Sequence, residues 1–283
     1  MIEVLKRVKI NLSQEYYRFR SYIGRPRLVV QKQPVILSDA DLCENPIFII
    51  GVHRAGTSLV RRIVDSHSRI ACPPETFFLQ YFATMIRDET NLAGLEGLGI
   101  NRESSSFEIR KWASRYHEAY RIMRGKDRWA DKTPQYISIL PELEQIFGPR
   151  VQYIMVFRHP LDVIHSIIKR GWKFGDYHSD LLMNTAMYVS DSIRKQVSFA
   201  NNYPDRCFYL YYENLILNPE KNLQAMFKFL GERWESGVLN YNNFEHGFGT
   251  EDPVVRGTKG FMTNFGNWKA FNQKQLSAII PIV

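Results

Sequence analysis

Ile47-Phe48-Ile49-Ile50-Gly51-Val52-His53-Arg54-Ala55-Gly56-Thr57-Ser58 is the stretch on which the architecture turns. Four consecutive apolar residues bounded by turn-formers read as a short strand buried on both faces, as in a parallel sheet. From Thr57 to His67 the periodicity changes to helical, with Leu59, Ile63 and Val64 on one face. The loop between them, Gly51 to Gly56, feeds a helix N-terminus, where backbone N–H groups and the helix dipole attract an anion. An ordinary glycine turn from strand to helix has the same outline, so this stretch alone leaves both readings open.

Working outward, the unit recurs. Val151 to Phe157 reads as another buried strand, and Pro160 suits the first turn of a helix continued by Leu161, Val163, Ile164, Ile167 and Ile168. Phe208 to Tyr211 is a third strand, followed by a helix ending near Gly231. A helical pattern also follows Pro73-Pro74, the polar run Asp88 to Ser106 is expected to form connections, and a further helix is expected over Phe107 to Met123. Strands alternating with helices predict an α/β fold, a parallel sheet flanked by helices on both faces.

With 283 residues and 45% apolar side chains, the chain can bury the core of one extended domain, expected over residues 46–283. Residues 1–45 form a basic arm and a turn-prone linker. The first 32 residues carry eight Lys and Arg against Glu3 and Glu15, so most of the net charge of +8 sits there and the body is nearly neutral. Ile2, Leu5, Val8, Leu12, Tyr16, Phe19 and Ile23 recur at helical spacing within the arm. Either the stripe packs on the protein's own core or the arm rests on a membrane surface or acidic partner. Cys43, Cys72 and Cys207 are too few and too scattered for a disulfide framework or a CxxC metal site, which points to a reducing compartment. No run approaches the length of a membrane span, and Met1 is not followed by a basic-then-apolar leader. A soluble, cytoplasmic protein is expected, with no nucleic-acid partner.

The loop's spacing is that of the nucleotide phosphate loop GxxxxGK[ST], except that Thr57 stands where a lysine would reach the β and γ phosphates. With Arg54 inside the loop instead, the site suits a donor whose single 5′ phosphate carries a short charged group, a description that a phosphosulfate meets. This P-loop-like stretch resembles the superfamily of sulfotransferases dependent on 3′-phosphoadenosine 5′-phosphosulfate (PAPS), particularly the branch of tyrosylprotein and related bacterial sulfotransferases. The resemblance spans roughly Ile47 to Lys269. It implies that Arg54, Gly56, Thr57 and Ser58, with Ala55 in the same loop, hold the 5′-phosphosulfate.

A second segment, Arg158-His159-Pro160-Leu161-Asp162-Val163-Ile164-His165-Ser166, again ends a buried strand with a basic residue and places a hydroxyl two turns into the next helix. Both side chains reach toward a ligand at the sheet's carboxyl edge. The resemblance implies that Arg158 and Ser166 hold the 3′ phosphate, which suits a guanidinium that stays charged and bonds phosphate with a fork. On residues alone, an Arg158–Asp162 surface salt bridge is the competing reading. Tyr212, in Tyr209-Leu210-Tyr211-Tyr212-Glu213-Asn214, matches a tyrosine that lies near the nucleotide. Arg256 and Lys259, in Arg256-Gly257-Thr258-Lys259-Gly260, match a late basic loop closing over the 3′ phosphate, though a solvated basic turn has the same composition.

Sulfuryl transfer in line builds negative charge on the bridging oxygen of the leaving nucleotide, which fixed cations stabilise. Arg54 is one. The resemblance implies that Lys132, in Asp131-Lys132-Thr133-Pro134, is the other; without it Lys132 reads equally as a surface lysine beside Asp131. The acceptor hydroxyl needs a base within hydrogen-bond reach. Glu75, in Pro74-Glu75-Thr76, matches the family's base, and by composition it also fits a first helical turn after Pro74. His53, His117 and His159 are weaker candidates. No histidine or cysteine pair has metal-ligand spacing, so no metal is expected. The rival reading, a degenerate P-loop kinase or nucleotide hydrolase, requires a γ-phosphate lysine and a magnesium-binding aspartate after a strand. Acceptor contacts are expected from the loops Phe77 to Ser106 and Trp172 to Ser179, and the acceptor's identity stays open.

Overall fold

β1 (Ile47–Ile50) is the middle strand of an all-parallel five-stranded sheet in the order β2-β3-β1-β4-β5. The computed structural model describes residues 42–247, 249, 257 and 260–283. β1 pairs on one side with β3 (Arg128–Asp131), Ile47 opposite Ala130, and on the other with β4 (Gln152–Phe157), Ile50 opposite Met155. β2 (Ile70–Ala71) and β5 (Cys207–Tyr211) form the edges. All four side chains of β1 are buried because helices cover both faces, the arrangement the apolar run implied.

On one face Ile47 and Ile49 pack with Ile63 and Val64 of α1 (Thr57–Ser66) and with Leu223 and Phe227 of a later helix. On the other, Phe48 and Ile50 join Trp129, Tyr153, and residues of α2 (Leu79–Arg87), α4 (Arg102–Met123), α5 (Leu140–Phe147) and α7 (Leu181–Asn202). Pro160 opens α6 (Pro160–Lys169) as expected. β5 runs into α8 (Tyr212–Leu217) and α9 (Pro219–Phe229), and α10 (Gln273–Ile279) lies near the end of the chain.

Two expectations are corrected. The run Asp88 to Ser106 is not only connection: α3 (Glu89–Gly97) forms there, capped by the Asp88 side chain, and α4 begins at Arg102, capped by Asn101 rather than starting at Phe107. β2 and β3 were not foreseen as strands. β3 carries Arg128, whose guanidinium is buried yet donates to Asn45 O, Leu230 O, Gln152 Oε1 and Glu232 Oε1 at 2.7–3.0 Å, so a charged residue starts a central strand without a desolvation penalty left unmet. The basic arm, residues 1–32, lies outside the described residues. No described helix is long and apolar enough to cross a membrane.

Candidate active site

The loop between β1 and α1 takes its shape from two left-handed residues, Arg54 (φ 71°) and Gly56 (φ 99°). Gly56 is required twice over. Its φ suits glycine, and a Cβ there would lie 2.4 Å from the Tyr212 ring, so the tyrosine that opens α8 packs directly on the loop. No side chain caps α1, and no acidic residue stands in its first turn, so the N–H groups of Thr57 and Ser58 open a helix suited to an anion.

The strand β4 delivers the second basic residue to the same edge. Arg158 Nη1 donates to Arg54 O at 2.9 Å and Nη2 to Asn264 O, while its guanidinium lies 4.7 Å over the Tyr212 ring. Arg54 Nε donates to Ser166 Oγ at 3.0 Å, so the two sequence motifs touch through their own side chains. Burial, and then the neighbouring Arg170 and Arg158, pull the Arg54 guanidinium down to about 10, which leaves it charged at neutral pH. Asp162 does not pair with Arg158 at the surface. Its carboxylate accepts from Gly266 N and Trp268 N at 2.7 and 3.0 Å, anchoring the segment that follows Gly260. Glu213 in turn accepts from His159 N at 2.9 Å at the start of α6.

Glu75 lies in the irregular run between β2 and α2, not in a helical turn. Lys132, just past β3, is 1% exposed rather than a surface residue. Its Nζ donates to Glu75 Oε1 at 2.5 Å and to Ser58 Oγ at 3.2 Å, so one ammonium bridges the expected base and the phosphate loop. Asp131 ends the strand beside β1, where the kinase reading would want its magnesium ligand. Its oxygens are instead taken by Thr76, Thr133 and His117.

A cavity of about 900 Å³ opens at this edge. Arg54, Gly56, Thr57, Ser58, Arg158 and Tyr212 line it together with Glu75, Phe77, Trp172 and Phe174. Ser166 and Lys132 join through Arg54 and Glu75, while Ala55 is buried within the loop. Arg256 and Lys259 lie outside the described residues. His117 is buried against Trp129 and bonded to Asp131, and His159 stacks on Trp268; neither lines the cavity. His53 does, with Nδ1 2.5 Å from Tyr188 OH and its ring stacked on Phe174; burial, Lys132 and Arg54 push its imidazole down to about 4. Sequence reasoning missed Trp172 as a partner of Arg54, 5.6 Å over the indole, and Asn264 as a partner of Arg158, because nothing local marks either.

The family model described as the Sulfotransferase family matches residues 46–236. The chain therefore belongs to the sulfotransferase family, the PAPS-dependent superfamily that its two motifs resemble. A relative, protein-tyrosine sulfotransferase 2 of Gallus gallus, is 28% identical over 210 residues that make up 69% of this chain and 53% of the relative. This chain thus spans about half the length of that protein. Among solved structures, the sulfotransferase domain of a Synechococcus olefin synthase has a TM-score of 0.61 at 21% identity, covering 88% of this chain and 98% of the domain. A mouse sulfotransferase complexed with PAP has a TM-score of 0.52 at 14% identity, covering 84% of this chain and 83% of its own. Both share the fold, a parallel α/β sheet with helices on its two faces.

Proposed function

We propose that this site moves a sulfuryl group from PAPS to a hydroxyl acceptor by in-line displacement, with Glu75 as the base. The observation that carries the reading is that Arg54, Arg158 and Glu75, from three separate segments, line one cavity. Loop and guanidinium chemistry fit a donor with phosphate at both ends. Arg54 and the loop residues Gly56, Thr57 and Ser58, with Ala55 shaping the turn, would hold the 5′-phosphosulfate; Arg158 and Ser166 would hold the 3′ phosphate beside Tyr212. The resemblance adds Arg256 and Lys259, which lie outside the described residues, to those that would hold the 3′ phosphate. The mouse structural neighbour complexed with PAP, the desulfated product, supports the choice of nucleotide.

In the reaction the acceptor oxygen bonds to sulfur as the bond from sulfur to the bridging phosphate oxygen breaks. Glu75 takes the acceptor's proton, a contribution on the order of 10²–10⁴-fold for a well-placed base. In this reading Arg54 and Lys132 would offset the negative charge that grows on the leaving oxygen, each worth on the order of 10²–10³-fold by analogy with fixed donors at an oxyanion. Phe77, Trp172 and Phe174 also line the cavity, which suits a flat hydroxylated acceptor. Protein tyrosine, the acceptor in the Gallus gallus relative's name, is one such group. A cytoplasmic setting stays part of the reading, supported by Cys43, Cys72 and Cys207 all being free thiols.

The test is a labelled-PAPS assay against a panel of phenolic, carbohydrate and aliphatic hydroxyl compounds, comparing wild type with Glu75→Ala and Lys132→Ala. Transfer by wild type and loss in both variants supports the reading. Undiminished turnover in Glu75→Ala would move the base elsewhere.

A further inference from the structure

Glu75 and Lys132 sit on irregular segments, yet their side chains meet at 2.5 Å. An ammonium and a carboxylate taken out of water repay their desolvation only when their geometry is held, so something must fix the two backbones. Here the flanking residues do the fixing. Thr76, next to Glu75, donates its hydroxyl to Asp131 Oδ2 at 2.6 Å; Thr133, next to Lys132, donates to Asp131 Oδ1 at 2.8 Å. The Thr76 N–H donates to Thr133 Oγ1 at 3.1 Å, which closes the ring between the two segments. His117 Nε2 supplies a third donor to Asp131 Oδ2 at 2.7 Å from α4.

The proton directions follow from the acceptor. An ionised carboxylate only accepts, so Thr76 and Thr133 must donate to it, and His117 must carry its proton on Nε2. Thr76 Oγ1 is then left to accept from Tyr136 OH at 2.8 Å, and Tyr136 OH to accept from Leu79 N at 3.2 Å. Two chains of hydrogen bonds therefore run from backbone N–H groups through hydroxyls into one carboxylate, each link polarising the next. Asp131, Thr133 and His117 are all at most 1% exposed, and none of them lines the cavity. A carboxylate this deep is tolerated only when its lone pairs are filled, and here every donor that fills them belongs to a segment adjoining Glu75 or Lys132 or to the helix behind.

We propose that Asp131, backed by His117, is the positioning residue that holds Lys132 against Glu75 and so fixes Glu75 at the cavity wall. The proposal rests on the reading of Glu75 as base. It separates the roles of neighbours in one short segment: Lys132 bonds Glu75 and Ser58, which both line the cavity, and Asp131 and Thr133 on either side of it hold the pair in register.

Thr133→Val tests it, because valine keeps the shape and removes only the hydroxyl. The expected result is a kcat lower by about 10- to 100-fold, the scale of a displacement near 1 Å at a reacting centre, with KM for PAPS and affinity for PAP within about 3-fold of wild type. Thr133→Ser, which restores the hydroxyl, should recover most of the lost kcat. Asp131→Asn should lower kcat at least as far, measured below its own melting temperature; if it does not fold, the threonine pair carries the test. A merely structural role would lower the melting temperature and leave kcat per folded molecule unchanged, and a Thr133→Val enzyme with wild-type kcat would overturn the proposal. Glu75→Ala in the same series tells the two ideas apart. Wild-type turnover there overturns the base assignment and the positioning role together, whereas an inactive Glu75→Ala beside a fully active Thr133→Val overturns the positioning role alone.

Discussion

Arg54 Nε and Ser166 Oγ lie 3.0 Å apart, although 112 residues separate them. One belongs to the loop after β1 and the other to the helix after β4, and β1 and β4 are adjacent strands. Their contact brings the two segments to a single site.

Arg158 should govern nucleotide affinity more than rate. Its guanidinium is held by two carbonyl oxygens and the Tyr212 ring, so it is already oriented toward the cavity. Arg158→Ala is expected to weaken PAP binding by about 30- to 150-fold, the equivalent of roughly 2–3 kcal/mol for charge-assisted bonds to phosphate. Isothermal titration with PAP in the absence of magnesium measures this. Wild type stabilised only by ATP with magnesium, and not by PAP, would favour a kinase-type site.

Gly56→Ala should damage the loop rather than the core. The new Cβ would meet the Tyr212 ring at 2.4 Å and sit at φ 99°, a backbone region costing L-residues on the order of 1–3 kcal/mol. The expected outcome is a PAP-induced thermal shift reduced by more than half while the far-ultraviolet circular dichroism spectrum stays native.

Lys132→Ala removes a cation and also leaves Glu75 and Ser58 without their shared donor. Turnover is expected to fall by about 10²–10³-fold with PAP affinity changed by less than 10-fold, since PAP lacks the group that transfers. Steady-state kinetics and PAP titration on the same preparation separate the two effects.

Asp162 tests the anchoring of the late segment. Asp162→Ala releases the N–H groups of Gly266 and Trp268 together. Loss of those two charge-assisted bonds, about 1.5–3 kcal/mol each at most, should increase amide hydrogen exchange across residues 260–268 and weaken PAP binding through Asn264 and Arg158. Exchange unchanged from wild type would rule that anchoring out.

His53 makes stability fall on acidification. Its imidazole is held down from 6.5 to about 4, chiefly by burial, so between those values the unfolded chain binds a proton that the folded chain refuses. Stability from this group is therefore intact above about pH 6.5 and declines as pH drops toward 4, by roughly 3 kcal/mol in total. Urea unfolding of wild type and His53→Gln at pH 7.0, 5.5 and 4.5 should show the steeper decline in wild type.

Much of the frame was legible from residues in order. The apolar run Ile47 to Ile50, the glycine loop and the α1 periodicity are local features, and they became β1, the loop and α1 with nearly the expected bounds. The Arg158 to Ser166 pattern was legible for the same reason, a strand end and two helical turns. β2 was not, because two residues carry no period, and β3 was not, because Arg128 and Asp131 read as polar. Their hydrogen-bonding capacity is filled by partners from other segments, such as Leu230 O and Glu232 for Arg128 and Thr76 and His117 for Asp131.

By itself, then, the amino-acid order determined the parallel α/β class, the phosphate-type loop without its lysine, and the residue types offered to a donor anionic at both ends. Which of them meet was decided only by the tertiary structure. Glu75 and Lys132 are 57 positions apart and Arg158 reaches Arg54 across 104. Backbone periodicity and turn chemistry act over a few residues, whereas these pairings follow from strand order and from buried hydrogen bonds that close only when the sheet is assembled.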